Sequence, residues 1–453
     1  MKVTRALRKL RGSIHPQYFK GLTADAPITT MPAPAKLFVS MAQHLGAPAK
    51  PIVAKGDIVV QGQCIAEAAG FISAPVHAPA SGKVLEVDTA PTPAGTMAPR
   101  IIIETDPQNT ETQTLPPMPE WQKQPRETLL ARIAEAGIAG MGGAGFPTRV
   151  KLSPPADKPI DTLIINGAEC EPYLTADHRL MVEHSAGIVN GIRIICHLLE
   201  AKHVHVAIEE NKPSAIEAMQ QALEQLDGVE ASVCILPTEY PQGAEKQQIS
   251  MTTGREVPSG GLPMDVGCVV ENVGTVLAVA NAILEGLPLT HRVTTVTGHI
   301  VQTPQNVLAP IGTTYADLVA FCGGLTNPAA KVISGGPMMG MAQPSLEGST
   351  TKTSSGLVFL EERRVHVYRS LPCIGCGRCI EACPMDLIPA AISYTVEGGD
   401  YDKAEALNIL DCIECGCCAF VCPASRPLVQ HFKLAKPKII VKRRQAAAAK
   451  GTA

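Results

Sequence analysis

Nine of the fifteen cysteines in this 453-residue chain fall between residues 373 and 422, in two runs of one pattern. The first run is Cys373-x2-Cys376-x2-Cys379-x3-Cys383-Pro384, and the second is Cys412-x2-Cys415-x2-Cys418-x3-Cys422-Pro423. A thiolate at every third residue wraps a short coil around one face of an iron–sulfur cube, so that three sulfurs reach three irons. Zinc is the competing metal, because two C-x2-C pairs make a tetrahedral four-sulfur site. Zinc gives no reason for a third and fourth cysteine in each run, nor for the proline that closes both. The runs therefore read as ligands of two [4Fe–4S] clusters, which accept electrons singly. Cys417 has no place in the pattern. Cys64, Cys170, Cys196, Cys234, Cys268 and Cys322 are scattered and are expected to be small buried hydrophobes. A disulfide framework is not expected in a large chain with no export signal.

In bacterial-type two-cluster ferredoxins the fourth cysteine of each run crosses to the other cluster. That resemblance implies one cluster on Cys373, Cys376, Cys379 and Cys422, and another on Cys412, Cys415, Cys418 and Cys383. The 28 residues between the runs include helix-like YDKAEALNILDC (401–412), so helices are expected to carry the clusters.

The composition bounds what else the chain does. Its formal net charge of −3 and 4% aromatic content argue against a nucleic-acid binder. A 45% hydrophobic content is ample for packed cores, and the length suits several domains. The longest apolar stretch, NVGTVLAVANAIL (272–284), is bounded by Glu271 and Glu285 and is too short for a bilayer. It reads as a core helix. The N-terminus, MKVTRALRKLRGSIHP, is basic but lacks the apolar region of a secretory signal.

Residues 34–105 read as short strands separated by Gly and Pro, with turn signals at Lys55-Gly56-Asp57, Gln61-Gly62 and Ser81-Gly82. They resemble the barrel-sandwich hybrid of lipoyl and biotinyl domains. In that family a modified lysine stands at a hairpin tip; the matching slot here is Gly70-Phe71 and holds no lysine, so a structural or docking module is expected. Residues 88–125 are Pro/Thr-rich and read as a surface connection. From 126 to about 285, helical stretches (126–138, 214–228) alternate with apolar strands (161–167, 203–210, 231–237). That alternation predicts a parallel, doubly wound sheet. Residues 290–345 suggest a small sheet with one helix. The basic end, HFKLAKPKIIVKRRQAAAAKGTA, holds seven Lys/Arg and no acid and is expected to be a solvated tail.

The segment GIAGMGGAGFPTRVK (137–151) is dense in glycine, which lets a backbone approach a flat ring or phosphate and present N–H groups to it. It is neither a Walker loop nor the G-x-G-x-x-G fingerprint, and a tight structural turn is the plain alternative. Three further segments give it meaning: NGAECEP (166–172), YPQGAE (240–245) and ENVGT (271–275). Together the four resemble the FMN- and NADH-binding subunit of respiratory complex I and related diaphorases. The resemblance implies an FMN cradle of Gly140, Gly142, Gly143, Lys151, Asn166, Asn272 and Thr275. It places Phe146, Glu169, Glu171 and Glu245 on the NADH side. Met141, Ala168, Ala244, Glu271 and Gly274 depart from that family's residues.

The order of parts is similar to the RnfC family, found in Rnf-type ion-translocating electron transport complexes, over residues 1 to about 435. It implies a multidomain α/β fold: a barrel-sandwich-hybrid domain with linker (1–125), a doubly wound FMN/NADH-binding α/β domain (126–289), an SLBB-like β-grasp domain (290–350), a helical two-cluster ferredoxin domain (355–435) and a basic tail (436–453). It further implies a peripheral subunit on the cytoplasmic face of the inner membrane, beside membrane and iron–sulfur subunits. That subunit would take electrons from NADH through FMN to the clusters, and on toward ferredoxin or flavodoxin. The chain is then expected to be a short or truncated member. An electron wire without nucleotide binding, or the diaphorase subunit of a soluble hydrogenase or formate dehydrogenase, are the alternatives.

Overall fold

Strand Thr162–Gly167 is buried at Leu163, Ile164 and Ile165 in succession, the pattern of a strand covered on both faces. In the computed structural model, which describes residues 2–365 and 369–451, this strand lies inside a five-stranded parallel sheet, with a partner on each side. The spatial order is Lys2–Arg5, Glu230–Leu236, His203–Glu209, Thr162–Gly167, Cys268–Asn272. One face packs Leu163, Ile165, Val204 and Val206 against helices Arg126–Glu135, Ser185–Leu199, Pro213–Leu223 and Val273–Leu284. The other packs Ile164, Ala207 and Val270 against Leu10 and against Ile249 of helix Glu245–Thr253. The chain runs outward from Thr162–Gly167 in one direction, then returns to place Cys268–Asn272 on its other side. Ligands of such open sheets lie beyond the carboxyl ends of the strands, at the point where the order reverses.

Apolar alternation makes a second body of two small antiparallel sheets. Strands Lys36–Ser40, Met97–Thr105, Gly82–Pro91 and Ile58–Val59 form one; Lys50–Pro51, Cys64–Glu67 and Val76–His77 form the other. Leu37, Val39, Val59, Ile65, Val84, Ile101 and Ile103 fill the space between them. The hairpin joining Cys64–Glu67 to Val76–His77 carries Gly70 and Phe71 at its tip.

A third sheet, with helix Tyr315–Phe321, has the order Met341–Gln343, Lys331–Ser334, Gly356–Leu360, His291–Thr297, Gln305–Pro310, Ile28–Thr30. Strand Gly356–Leu360 is buried along its whole length between two partners. The β-grasp unit thus extends past 350, into the range expected for the ferredoxin region. Helices Arg378–Glu381, Pro389–Glu397, Tyr401–Ala406, Cys417–Phe420 and Leu428–Gly451 complete the fold.

Two expectations are corrected. Two strands of the expected first unit pair outside the barrel: Lys2–Arg5 completes the parallel sheet and Ile28–Thr30 the β-grasp sheet. Between them Gly12, at φ +60°, lies so close to the cysteine region that a Cβ would sit 2.2 Å from the Cys383 carbonyl oxygen. The basic end is helical rather than irregular, because residues 428–451 form one helix, although residues 440–446 are exposed to solvent as expected. Its Lys442 pairs with Asp402 and its Arg443 with Glu405 of helix Tyr401–Ala406, while Ile439 is buried. Residue 1 of the first expected unit and residues 452–453 of the expected tail lie outside the described residues.

Candidate cofactor sites

Each cysteine run coils into a short helix started by a glycine in the left-handed region, Gly377 before Arg378–Glu381 and Gly416 before Cys417–Phe420. A prolyl turn follows and leads into the helices Pro389–Glu397 and Leu428–Gly451. A cavity opens between the runs, and Cys383, Cys412, Cys415 and Cys418 line it with Met385, Leu387, Ile413 and Phe432. The fourth cysteine of the first run thus stands among three of the second. Burial and the neighbouring Cys412, Cys415 and Cys383 all push the Cys418 thiol up. On the other side, burial together with the neighbouring Cys422 and Cys373 raises the Cys379 thiol. Cys376 is exposed. Among the described residues no three His, Cys, Asp or Glu converge on a point for a single ion; the thiols ring a space instead.

Backbone amides already serve these sulfurs. Gly375 N–H donates to Cys373 Sγ at 3.4 Å, Glu414 N–H to Cys412 Sγ at 3.3 Å and Leu387 N–H to Cys383 Sγ at 3.4 Å. Such bonds stabilise thiolate charge and tune a cluster's potential. Cys417, the cysteine without a ligand position, is fully buried, and its thiol donates toward the Tyr240 carbonyl at 3.9 Å. Of the scattered six, all but the half-buried Cys64 are buried.

The second site lies at the switch point of the parallel sheet. Asn166 and Asn272 are in register at the carboxyl ends of adjacent strands, and the glycine loop arches over them. Gly140 N–H donates to the Phe146 carbonyl at 2.8 Å and closes the loop. Gly142, Gly143 and Ala144 are exposed. A Cβ on Gly142 would stand 2.9 Å from Asn272 Cβ, so the loop backbone sits on the asparagine.

The loop is held from beneath. Thr275 Oγ1, fully buried, accepts from Met141 N–H at 2.9 Å. Buried Arg292, from the β-grasp sheet, donates to the Met141 carbonyl at 3.2 Å. Asn272 caps helix Val273–Leu284 by accepting from Gly274 N–H at 2.9 Å, and donates to Asp177 at 2.6 Å. Asn166 donates to the Gly243 carbonyl at 2.9 Å and accepts from Gln248 at 2.8 Å. Lys151 pairs with Glu245 at 2.7 Å. Burial opposes its charge, but Glu271 and Glu245 overcome this and hold its pKa above the ordinary lysine value. Glu271 is buried with Oε1 unpartnered, and burial lifts its pKa to about 7 against the pull of Lys151. An open glycine cradle, a charged lysine and an orphan carboxyl oxygen fit a flat, anionic, hydrogen-bonding group such as FMN.

Two residues expected on the NADH side are used by the protein itself. The Glu169 carboxylate accepts from Asp177 N–H at 2.7 Å and His178 N–H at 3.1 Å, capping helix Ala176–Glu183. Glu171 accepts from Met338 N–H at 3.1 Å and Met339 N–H at 2.7 Å on a β-grasp loop; burial raises its pKa to about 7. Glu245 is tied to Lys151, and Phe146 is half-buried beside the loop. Sequence reasoning passed over Lys20, whose ammonium donates to the carbonyls of Glu169, Glu171 and Leu174 at 2.7, 3.0 and 2.7 Å. Burial lowers its pKa to about 8. It also passed over Asp177 and Arg292, since no local pattern marks residues whose partners are remote in sequence, and gave Tyr240 no role although it opens the YPQGAE segment.

Four family models match the chain: the RnfC barrel sandwich hybrid domain over residues 8–108, the Nuo51 FMN-binding domain over 133–281, the SLBB domain over 293–342 and the 4Fe-4S dicluster domain over 372–425. Among curated proteins, the C subunit of the proton-translocating ferredoxin:NAD(+) oxidoreductase complex of Clostridium ljungdahlii is 48% identical over 95% of this chain and 94% of that protein. The C subunit of the Na(+)-translocating ferredoxin:NAD(+) oxidoreductase complex of Acetobacterium woodii is 42% identical over 96% of this chain and 98% of its own length. The C subunit of the ion-translocating oxidoreductase complex of Pseudomonas aeruginosa is 43% identical, and the match spans 91% of this chain but 53% of that protein.

Proposed function

The chain belongs to the RnfC family of ion-translocating ferredoxin:NAD+ oxidoreductase complexes, and from that we propose that it is the subunit through which electrons pass between NAD(H) and two [4Fe–4S] clusters by way of FMN. No described helix is long and apolar enough to cross a membrane, and in this reading ion translocation is the work of other subunits of the complex. We place it peripherally, at the cytoplasmic face of the inner membrane, with ferredoxin or flavodoxin reached through those partners.

FMN, when bound, supplies the exchange between an electron pair and single electrons that nicotinamide and iron–sulfur chemistry require of each other. The chain's own residues do the rest. The open amides of the glycine loop and the protonated Lys151 offset negative charge at the cradle. Asn272, Thr275 and Arg292 hold that loop at the strand ends, and Asn166 holds the neighbouring turn at Gly243. Cys383, Cys412, Cys415 and Cys418 would hold the inner cluster, against the α/β domain. Cys373, Cys376, Cys379 and Cys422 would hold the outer one, toward solvent at Cys376.

The observation that carries this reading is the junction. The switch-point loops and the cysteine cavity share one buried cluster in which Cys170 and Tyr240 meet Cys415 and Cys417. Anaerobic purification of the full chain tests it, with iron, sulfide and FMN counted and NADH titrated under EPR. About eight irons, one FMN and NADH-dependent cluster signals are expected. Eight irons without flavin would leave only an electron wire.

A further inference from the structure

The barrel body is not remote from the cradle. Leu45 N–H donates to the Gly145 carbonyl at 3.0 Å, binding the barrel to the glycine loop. One residue on, a Cβ at Gly46 would lie 2.0 Å from the Ile72 carbonyl oxygen, so the hairpin tip leans on the same contact. The tip thus stands at the rim of the cradle. There it exposes Phe71, 69% accessible, with the Arg149 guanidinium 6.0 Å from the ring centroid.

Arg149 and Lys151 lie two residues apart on one helical turn, Thr148–Lys151, and their contacts point opposite ways. Lys151 meets Glu245 at the inner end, whereas Arg149 is exposed and meets Phe71. The inner cation belongs to the cradle described above, beside Glu245 and Glu271. The outer cation and aromatic ring are therefore left for whatever extends from the cradle toward solvent. Glu169 and Glu171 are committed to backbone amides, so the outer half of a dinucleotide needs other partners.

We propose that the barrel's hairpin tip is the outer wall of the dinucleotide site: Phe71 stacks on the adenine ring of NAD(H), and Arg149 faces its diphosphate. An exposed aromatic side chain offers a face to any flat base, and a guanidinium matches phosphate oxygens in pairs. The inference rests on the function proposed above. It makes the barrel a contributor to nucleotide affinity rather than a passive module.

The test uses the full chain loaded anaerobically with FMN and iron. Flavin reduction is followed by stopped flow with NADH and with reduced nicotinamide mononucleotide, which lacks the adenylate half. Phe71→Ala is expected to raise the apparent Kd for NADH about tenfold at an unchanged limiting rate, to leave the mononucleotide unaffected, and to be rescued by Phe71→Trp. Arg149→Gln is expected to weaken NADH as well, and to weaken the mononucleotide less, since that keeps only one of the two phosphates. Equal effects on both nucleotides, or none on either, overturn the stacking while NADH oxidation stands. A flavin-loaded parent that neither nucleotide reduces overturns the proposed function and the stacking with it. Iron and FMN counts identical to the parent's show that each variant is folded.

Discussion

Tyr240 donates its phenolic hydrogen to the carbonyl oxygen of Cys415 at 2.8 Å, fastening a loop of the α/β domain to a cysteine run. Both residues are buried, so losing the hydroxyl strands a carbonyl without water, at about 1–3 kcal/mol. Tyr240→Phe is expected to keep its iron and FMN and to melt lower. Cluster reduction by NADH should also slow, because the junction loosens. An unchanged melting temperature would show that the bond contributes nothing.

The crossed arrangement of thiols has its own signature. Removing Cys383 should empty the site of the second run rather than its own. Cys383→Ser and Cys412→Ser are therefore expected to fall alike from about eight irons to about four, and to retain the same residual EPR spectrum. Cys422→Ser should instead match Cys373→Ser. Pairing of variants by run would refute the crossing.

Glu169 is a helix cap in this structure. Glu169→Ala leaves the amides of Asp177 and His178 without their acceptor, at a cost of about 0.5–2 kcal/mol. A lower denaturation midpoint is expected with the Kd for NADH little changed. Tenfold weaker NADH binding at full stability would restore the carboxylate to the nucleotide.

Glu271 links stability to pH. Burial raises its carboxyl from the ordinary 4.5 to about 7, so between those values the unfolded chain releases a proton that the folded chain keeps. This contribution is therefore full below pH 4.5, declines as pH rises, and is gone above pH 7, a difference of roughly 3 kcal/mol. Glu271→Gln should flatten that part of the profile and be the more stable form at pH 8. Denaturant unfolding of the FMN-free chain at several pH values measures it.

Legibility followed the range of the interactions. Ligand spacing is local, so the cysteine runs could be read directly, and the apolar strands read at 161–167, 203–210 and 231–237 lie within a residue of Thr162–Gly167, His203–Glu209 and Glu230–Leu236. Glu169 and Glu171 sit in a recognisable motif, yet their partners belong to a helix and a distant loop that no spacing discloses. Lys20 lies in a stretch without periodicity and gains its meaning from three carbonyls near residue 170. The basic end looked unstructured because its acidic partners, Asp402 and Glu405, lie on another helix. Pro437 within it further disguised the helical pattern.

The threading of the N-terminal segment bears on how the chain is made. Lys2 sits opposite Ser232, and Ile28 opposite Asn306, so both early strands emerge from the ribosome more than two hundred residues before their neighbours. At about 5–20 residues per second the nascent segment waits roughly ten seconds to a minute, its backbone groups unpaired. The two sheets that these strands complete therefore close only late in synthesis, after Ser232 and Asn306 have emerged.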